Sequence, residues 1–66
     1  MKKVGKVLNY DGRFGTIISS GDKVSFSKED LTSESVEKGD IVEYRLEERE
    51  PDLKIARFIK VLKSDS

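Results

Sequence analysis

The stretch from Gly12 to Ser27, reading GRFGTIISSGDKVSFS, constrains the fold more than any other part of the chain. Two short alternating runs, Phe14 to Ile18 and Lys23 to Ser27, flank Ser-Ser-Gly-Asp. In a strand, successive side chains take opposite faces. Phe14, Thr16 and Ile18 therefore share one face, and Ile17 takes the other. In the second run Lys23 and Ser25 share a face, with Val24 and Phe26 on the opposite one. Gly21-Asp22 supplies turn chemistry, because glycine accepts positive φ and aspartate bonds its own backbone. These features predict a β-hairpin with one apolar face and one mixed face.

The flanking segments are also strand-like. Val4 to Tyr10 reads as a strand, and Asp11-Gly12 is a hairpin signal between it and the strand Phe14 to Ser19. Lys23 to Ser27 is the third strand. Ser27 is placed to cap a single helical turn, with Asp30 three residues on in place of the usual Glu, and the turn ends on an inward Leu31. Residues 32–38 are polar and acidic and read as a loop, with Val36 dipping into the core. Gly39-Asp40 is another turn. From Ile41 to Glu48, Val42, Tyr44 and Leu46 alternate with Glu43, Arg45 and Glu47, which is a strand pattern. Arg49 to Asp52 is a charged turn, since Pro51 forbids an interior ladder position. Lys54 to Leu62 reads two ways. Ile55, Phe58, Ile59 and Leu62 have helical spacing, whereas Ala56 with Phe58, and Ile59 with Val61, fit a strand with an offset. No repeat, linker or second domain interrupts residues 1–66, and Lys63 to Ser66 are expected to fray.

A chain of 66 residues buries only about 60% of its unfolded surface, so its core is small. It contains no Cys, so no disulfide or thiolate–metal staple supports that core. The lack of Cys fits a reducing cytoplasm. Met1-Lys2-Lys3 is not followed by the apolar run of a signal peptide, and no stretch approaches the roughly 20 apolar residues of a membrane span. A monomeric cytoplasmic protein without cofactors is the expectation. Enzymatic function is excluded on inventory: with no His and no Cys, no serine has the usual activating base, and no carboxylate spacing resembles a cation loop. The glycines of Gly12-Arg13-Phe14-Gly15 fit turn geometry, or the close approach of a base to a neighbouring ring.

The formal net charge is zero, but its distribution is uneven. Residues 1–28 carry six basic residues against two acids, and residues 29–66 carry seven against eleven. The basic half also holds the aromatic hairpin, so a neutral protein can present one positive face.

Gly5-Lys6-Val7, Gly12 to Ile17, Lys23 to Ser27 and Glu37-Lys38-Gly39 together resemble the bacterial cold-shock domain. Two motifs of that family, Lys-Gly-Phe-Gly-Phe-Ile and Val-Phe-Val-His-Phe, fall on Gly12–Ile17 and Asp22–Phe26. The resemblance extends to about Leu62. It implies an all-β fold, a five-stranded antiparallel barrel of OB type, and makes the ambiguous last segment the fifth strand. It further implies binding of single-stranded RNA or DNA on the outer face of strands one to three, where exposed rings stack bases and cations meet phosphates.

Carried over position by position, the resemblance implies a nucleic-acid site of Lys6, Asn9, Tyr10, Arg13, Phe14, Thr16, Lys23, Ser25 and Phe26. Rings survive at Tyr10, Phe14 and Phe26, whereas Asn9, Thr16, Lys23, Ser25 and Ser33 stand where the family has larger or aromatic groups. Binding is therefore expected to be weak and largely indifferent to base sequence. Among the rings, Phe14 has the strongest case for exposure, beside Arg13 and a turn. Phe26 shares the parity of Val24 and fits the core equally well. A cold-shock-like barrel that binds a protein instead of nucleic acid is the alternative.

Overall fold

The computed structural model describes residues 2–32, 35–50 and 53–64. Strand β1 spans Lys2–Tyr10, β2 Phe14–Ser19, β3 Asp22–Ser27, β4 Ile41–Glu50 and β5 Leu53–Lys63. They close a barrel in the order β1-β2-β3-β5-β4, with β4 returning to β1. This is the expected five-stranded barrel of OB type. It departs from an all-antiparallel sheet at one seam, where β3 meets β5 in parallel through Ser25 and Ile55.

The core follows the alternation. Val7 from β1, Ile17 from β2, Val24 and Phe26 from β3, Val42 and Tyr44 from β4, and Ala56 and Ile59 from β5 are all buried. Val36 reaches inward from the loop before β4. That loop is tied to β1 by two backbone hydrogen bonds. The Gly39 N–H donates to the Val7 carbonyl (2.8 Å), and the Val7 N–H donates to the Asp40 carbonyl (2.9 Å).

The hairpin turn lies one residue earlier than the sequence suggests. Ser19 pairs with Asp22, leaving Ser20 and Gly21 as the loop. Both take positive φ (52° and 86°), the geometry whose twist matches a two-residue β-hairpin.

After β3, a 3-10 turn spans Lys28–Asp30. Asp30 Oδ2 accepts from both the Ser27 N–H (3.0 Å) and the Ser27 hydroxyl (3.1 Å), which is the expected capping aspartate. Asp30 Oδ1 also meets Arg57 at 3.0 Å, and Arg57 reaches Glu47 at 3.1 Å. The segment beyond the turn is pinned to β5, where the Thr32 N–H and hydroxyl both donate to the Ile59 carbonyl.

The ambiguous segment is a strand, and its irregular spacing has a structural cause. Arg45 pairs with Arg57 and Glu43 with Lys60, so three steps on β5 oppose two on β4. The extra residue makes a β-bulge. Ala56, Ile59 and Val61 can then all face inward although their spacing is three and then two. Phe58 occupies the bulge with φ 54° and points outward, so the pairing of Ala56 with Phe58 on one face does not occur. β4 and β5 extend closer to their connection than expected, with Glu50 opposite Leu53. Pro51 and Asp52, assigned to that turn, lie outside the described residues. Lys63 is the last residue of β5, and residues 65 and 66 lie outside the described residues.

Candidate nucleic-acid interface

β1, β2 and β3 are consecutive neighbours, so residues of the basic half form one continuous side of the barrel. Register sets their rows. Lys6 pairs with Ile18, and Ile18 with Lys23. Asn9 pairs with Thr16, and Thr16 with Ser25. Phe14 pairs with Ser27. Adjacent strands lie about 4.8 Å apart, so each three-strand row spans about 10 Å. A β1 bulge between Val7 and Asn9 keeps Lys6 and Asn9 on the same outward side. One end of this face is therefore cationic, the middle is small and polar, and the far end carries a ring.

That ring is Phe14. The residue is 63% exposed and stands where three depressions meet. Asn9, Gly15 and Thr16 border one, Ser27, Leu53 and Ile55 a second, and Arg13, Lys28 and Glu29 the third. Its backbone is held by the preceding turn. Asp11 Oδ1 accepts from the Arg13 N–H and the Phe14 N–H, both at 2.9 Å. The Asp11 N–H donates to the Phe14 carbonyl at 3.1 Å. Gly12 takes φ 103°, which a side chain would resist. The hydrogen bond from Phe14, then that from Arg13, holds the Asp11 carboxyl below its ordinary value of 3.8.

Of the nine residues expected at the site, Lys6, Asn9, Arg13, Phe14, Lys23 and Ser25 are exposed and Thr16 is half-buried. Tyr10 is half-buried at the barrel rim. Phe26 requires a correction, because it is only 3% exposed. Its ring stacks on Tyr10, with centroids 5.5 Å apart and planes 21° from parallel. Parity with Val24 turns it inward, so it supports the face from beneath and offers no open ring surface to a base. Gly15 requires another. It too faces inward, and a Cβ there would come 2.5 Å from the Asn9 carbonyl oxygen and 2.7 Å from Phe26 Cε1. Its bareness makes room for Phe26 inside the barrel, not for an approaching base outside. Ser33 lies outside the described residues.

Lys28 was missed by sequence reasoning. Its N–H donates to the Arg13 carbonyl at 2.8 Å, and it borders Phe14 together with Arg13. The β2–β3 register itself puts it there, since Phe14 pairs with Ser27 and the next step sets Arg13 opposite Lys28; a turn read one residue late hides that pairing.

A second aromatic–cationic cluster lies outside this face. Phe58 on β5 is 59% exposed, and the guanidinium carbons of Arg45 and Arg57 each lie 5.9 Å from its ring centroid. Holding a bulky residue in the left-handed region costs about 1–3 kcal/mol. Exposed cation–π contacts return about 0.5–1 kcal/mol each, and these sit at the outer limit of the range. The two effects nearly cancel, so stability gives little reason for a ring at this position.

No protein-family model and no curated protein sequence matches the chain.

Proposed function

We propose that this barrel binds single-stranded RNA or DNA, weakly and with little sequence preference, through the outward side of β1–β3. The reading takes the chain as a diverged barrel of cold-shock type. The observation that carries it is Phe14, a solvent-exposed ring held by a fixed turn, with Arg13 and Lys28 beside it. Stacking on such a ring tolerates any base, because every base has a π-face, and the cations supply the phosphate contacts. Lys6 and Lys23 extend the positive charge toward the other end of the same sheet. Asn9, Thr16 and Ser25 form a flat polar strip between the two ends, over which a strand can pass without being stacked. Loss of rings at these positions accounts for the expected weakness.

The test is a titration with an oligothymidine at two salt concentrations, followed through backbone amide shifts. Shifts centred on residues 9–16 and 23–28 that weaken as salt rises support the reading. Absence of shifts up to millimolar oligonucleotide refutes it and makes a protein-binding barrel the better account.

A further inference from the structure

Phe58 stands apart from the β1–β3 face and is not used by the function proposed above. Its position is one that the backbone would assign to Gly or Asn, since it is the positive-φ residue of a bulge. The chain instead places an outward phenyl ring there, 59% exposed. Around it lie Arg45 and Arg57, and an open pocket runs from Phe58 past Arg45 to Lys2 and Glu43.

The charges in this cluster are not equivalent. Lys2 is paired with Glu43 at 3.8 Å, and Arg57 is held by Asp30 and Glu47. Among the described residues, Arg45 and Lys60 have no carboxylate within 4.0 Å. Arg45 is thus an uncommitted cation resting beside an exposed ring, and Lys60 is a second one two residues along the strand from that ring. A base needs a π-surface, and the phosphate attached to it needs a cation within one nucleotide of that surface. A purely apolar partner would leave Arg45 and Lys60 desolvated and unpaired, which is costly.

We propose that Phe58, Arg45 and Lys60 form a second nucleotide subsite, with a base stacked on Phe58 and its phosphate held by Arg45 and Lys60. The inference rests on the reading of the barrel as a single-strand binder and extends it: a strand longer than the β1–β3 face can engage β4–β5 as well.

The test uses the full chain and an oligothymidine of about 12 nucleotides, within the range that barrels of this type occupy. Amide shifts are followed separately at residues 9–16 and at residues 43–45 and 57–60. In the parent protein both groups are expected to shift. Phe58→Asn removes the ring while suiting the positive φ. It should abolish the shifts at 57–60, weaken binding about five-fold or more, and leave those at 9–16 in place. Arg45→Gln, on the exposed face of β4, provides a second variant whose folding does not depend on the bulge. It should lower the slope of log affinity against log salt by about 0.7. Shifts confined to 9–16, with affinity unchanged in both variants, overturn this subsite and leave the proposed function standing. Shifts at 43–45 and 57–60 alone support the subsite and overturn the β1–β3 interface. Shifts at neither place overturn both.

Discussion

Replacing Phe14 with Ala separates a ring that binds from a ring that packs. Phe14 is 63% exposed, so only about a third of its surface is withdrawn from water. Complete burial of such a side chain is worth about 1.5–3 kcal/mol, and a third of that is about 0.5–1 kcal/mol. In a domain of this size 1 kcal/mol corresponds to about 4–8 °C in Tm, so Phe14→Ala should lower Tm by no more than about 8 °C. Phe26→Ala is the internal contrast. That ring is 3% exposed and stacked on Tyr10, and its loss should cost about 3–5 kcal/mol. A chain this short has a total stability of only about 3–10 kcal/mol, so Phe26→Ala should fall by well over 10 °C or fail to fold. Affinity for an oligothymidine, read by fluorescence anisotropy at low salt, should drop about five-fold to a hundred-fold in Phe14→Ala, which is the loss of about 1–3 kcal/mol of stacking. Melting is read by circular dichroism on the same samples. A large fall in Tm with unchanged affinity would show that Phe14 is structural. A small fall with unchanged affinity would show that it is exposed but is not a platform.

Three further substitutions probe the same hairpin. Thr16→Phe places a second ring two residues from Phe14, about 7 Å away, over the small neighbours Asn9 and Ser25; single-strand binding should tighten by about 1 kcal/mol with no change in salt slope, and equal affinity in a folded variant would count against the face. Gly15→Ala drives a methyl into the Asn9 carbonyl and the Phe26 ring and should cost about 1–3 kcal/mol, seen as a fall in Tm; an unchanged Tm would mean that Phe26 is not held as described. The Asp11 carboxyl is depressed by the bonds it accepts from Phe14 and Arg13, so its hold on the turn is complete above the ordinary carboxylate value and is lost as pH falls through the lower folded value. The Phe14 amide shift should follow that loss in the parent and stay flat in Asp11→Asn, and a flat profile in both would exclude the carboxylate as the anchor.

The capping pair Ser27 and Asp30 was legible because its contacts lie within three residues, the limits of β2 because turn residues flank an alternating run, and the inward turn of Val36 because it is a lone apolar residue in a polar stretch. The inward side of the sheet was legible too, since strict alternation from Phe14 to Ile18 and from Lys23 to Phe26 leaves one assignment of faces. Phe26 itself was balanced between core and surface, because parity speaks for the core and the family motif for a base platform. The closed register decided it: Gly15 lies opposite Phe26, and only a bare residue there leaves space for the ring. Phe58 was not legible. Its spacing from Ala56 and Ile59 mixes two periods, and an extra residue opposite β4 removes the conflict. Nothing local in Arg57-Phe58-Ile59 marks a bulge, because the usual marker is Gly. Lys28 was hidden by the turn, since a loop at Gly21-Asp22 shifts the register, whereas pairing Ser19 with Asp22 sets Arg13 opposite Lys28.

The charge on the β1–β3 side sets a measurable bound on how the barrel can bind. Four exposed cations, Lys6, Arg13, Lys23 and Lys28, belong to that side, and none is in an ion pair among the described residues. Three nearby acids are occupied: Asp22 meets Lys54 at 3.8 Å, Asp11 accepts from the turn amides, and Asp30 is held by Ser27 and Arg57. Glu29, exposed beside Arg13 and Lys28, is in no ion pair among the described residues and offsets part of their charge. Each phosphate neutralised on a single strand contributes about 0.7 to the slope of log affinity against log salt. Four contacts therefore limit the slope to about 3, and affinity should fall roughly fifty-fold between about 50 and 200 mM salt. One exposed ring adds about 1–3 kcal/mol that salt does not touch. A strand held this way loses its charge contribution as salt rises and keeps the stacking on Phe14, so Phe14→Ala should lower affinity by the same factor at every salt and leave the salt slope unchanged. A slope well above 3 would require cations from elsewhere on the barrel, of which Lys3, Lys38, Arg45, Lys60 and Lys63 are in no ion pair among the described residues, whereas a slope near zero would leave no role for the positive side of the sheet.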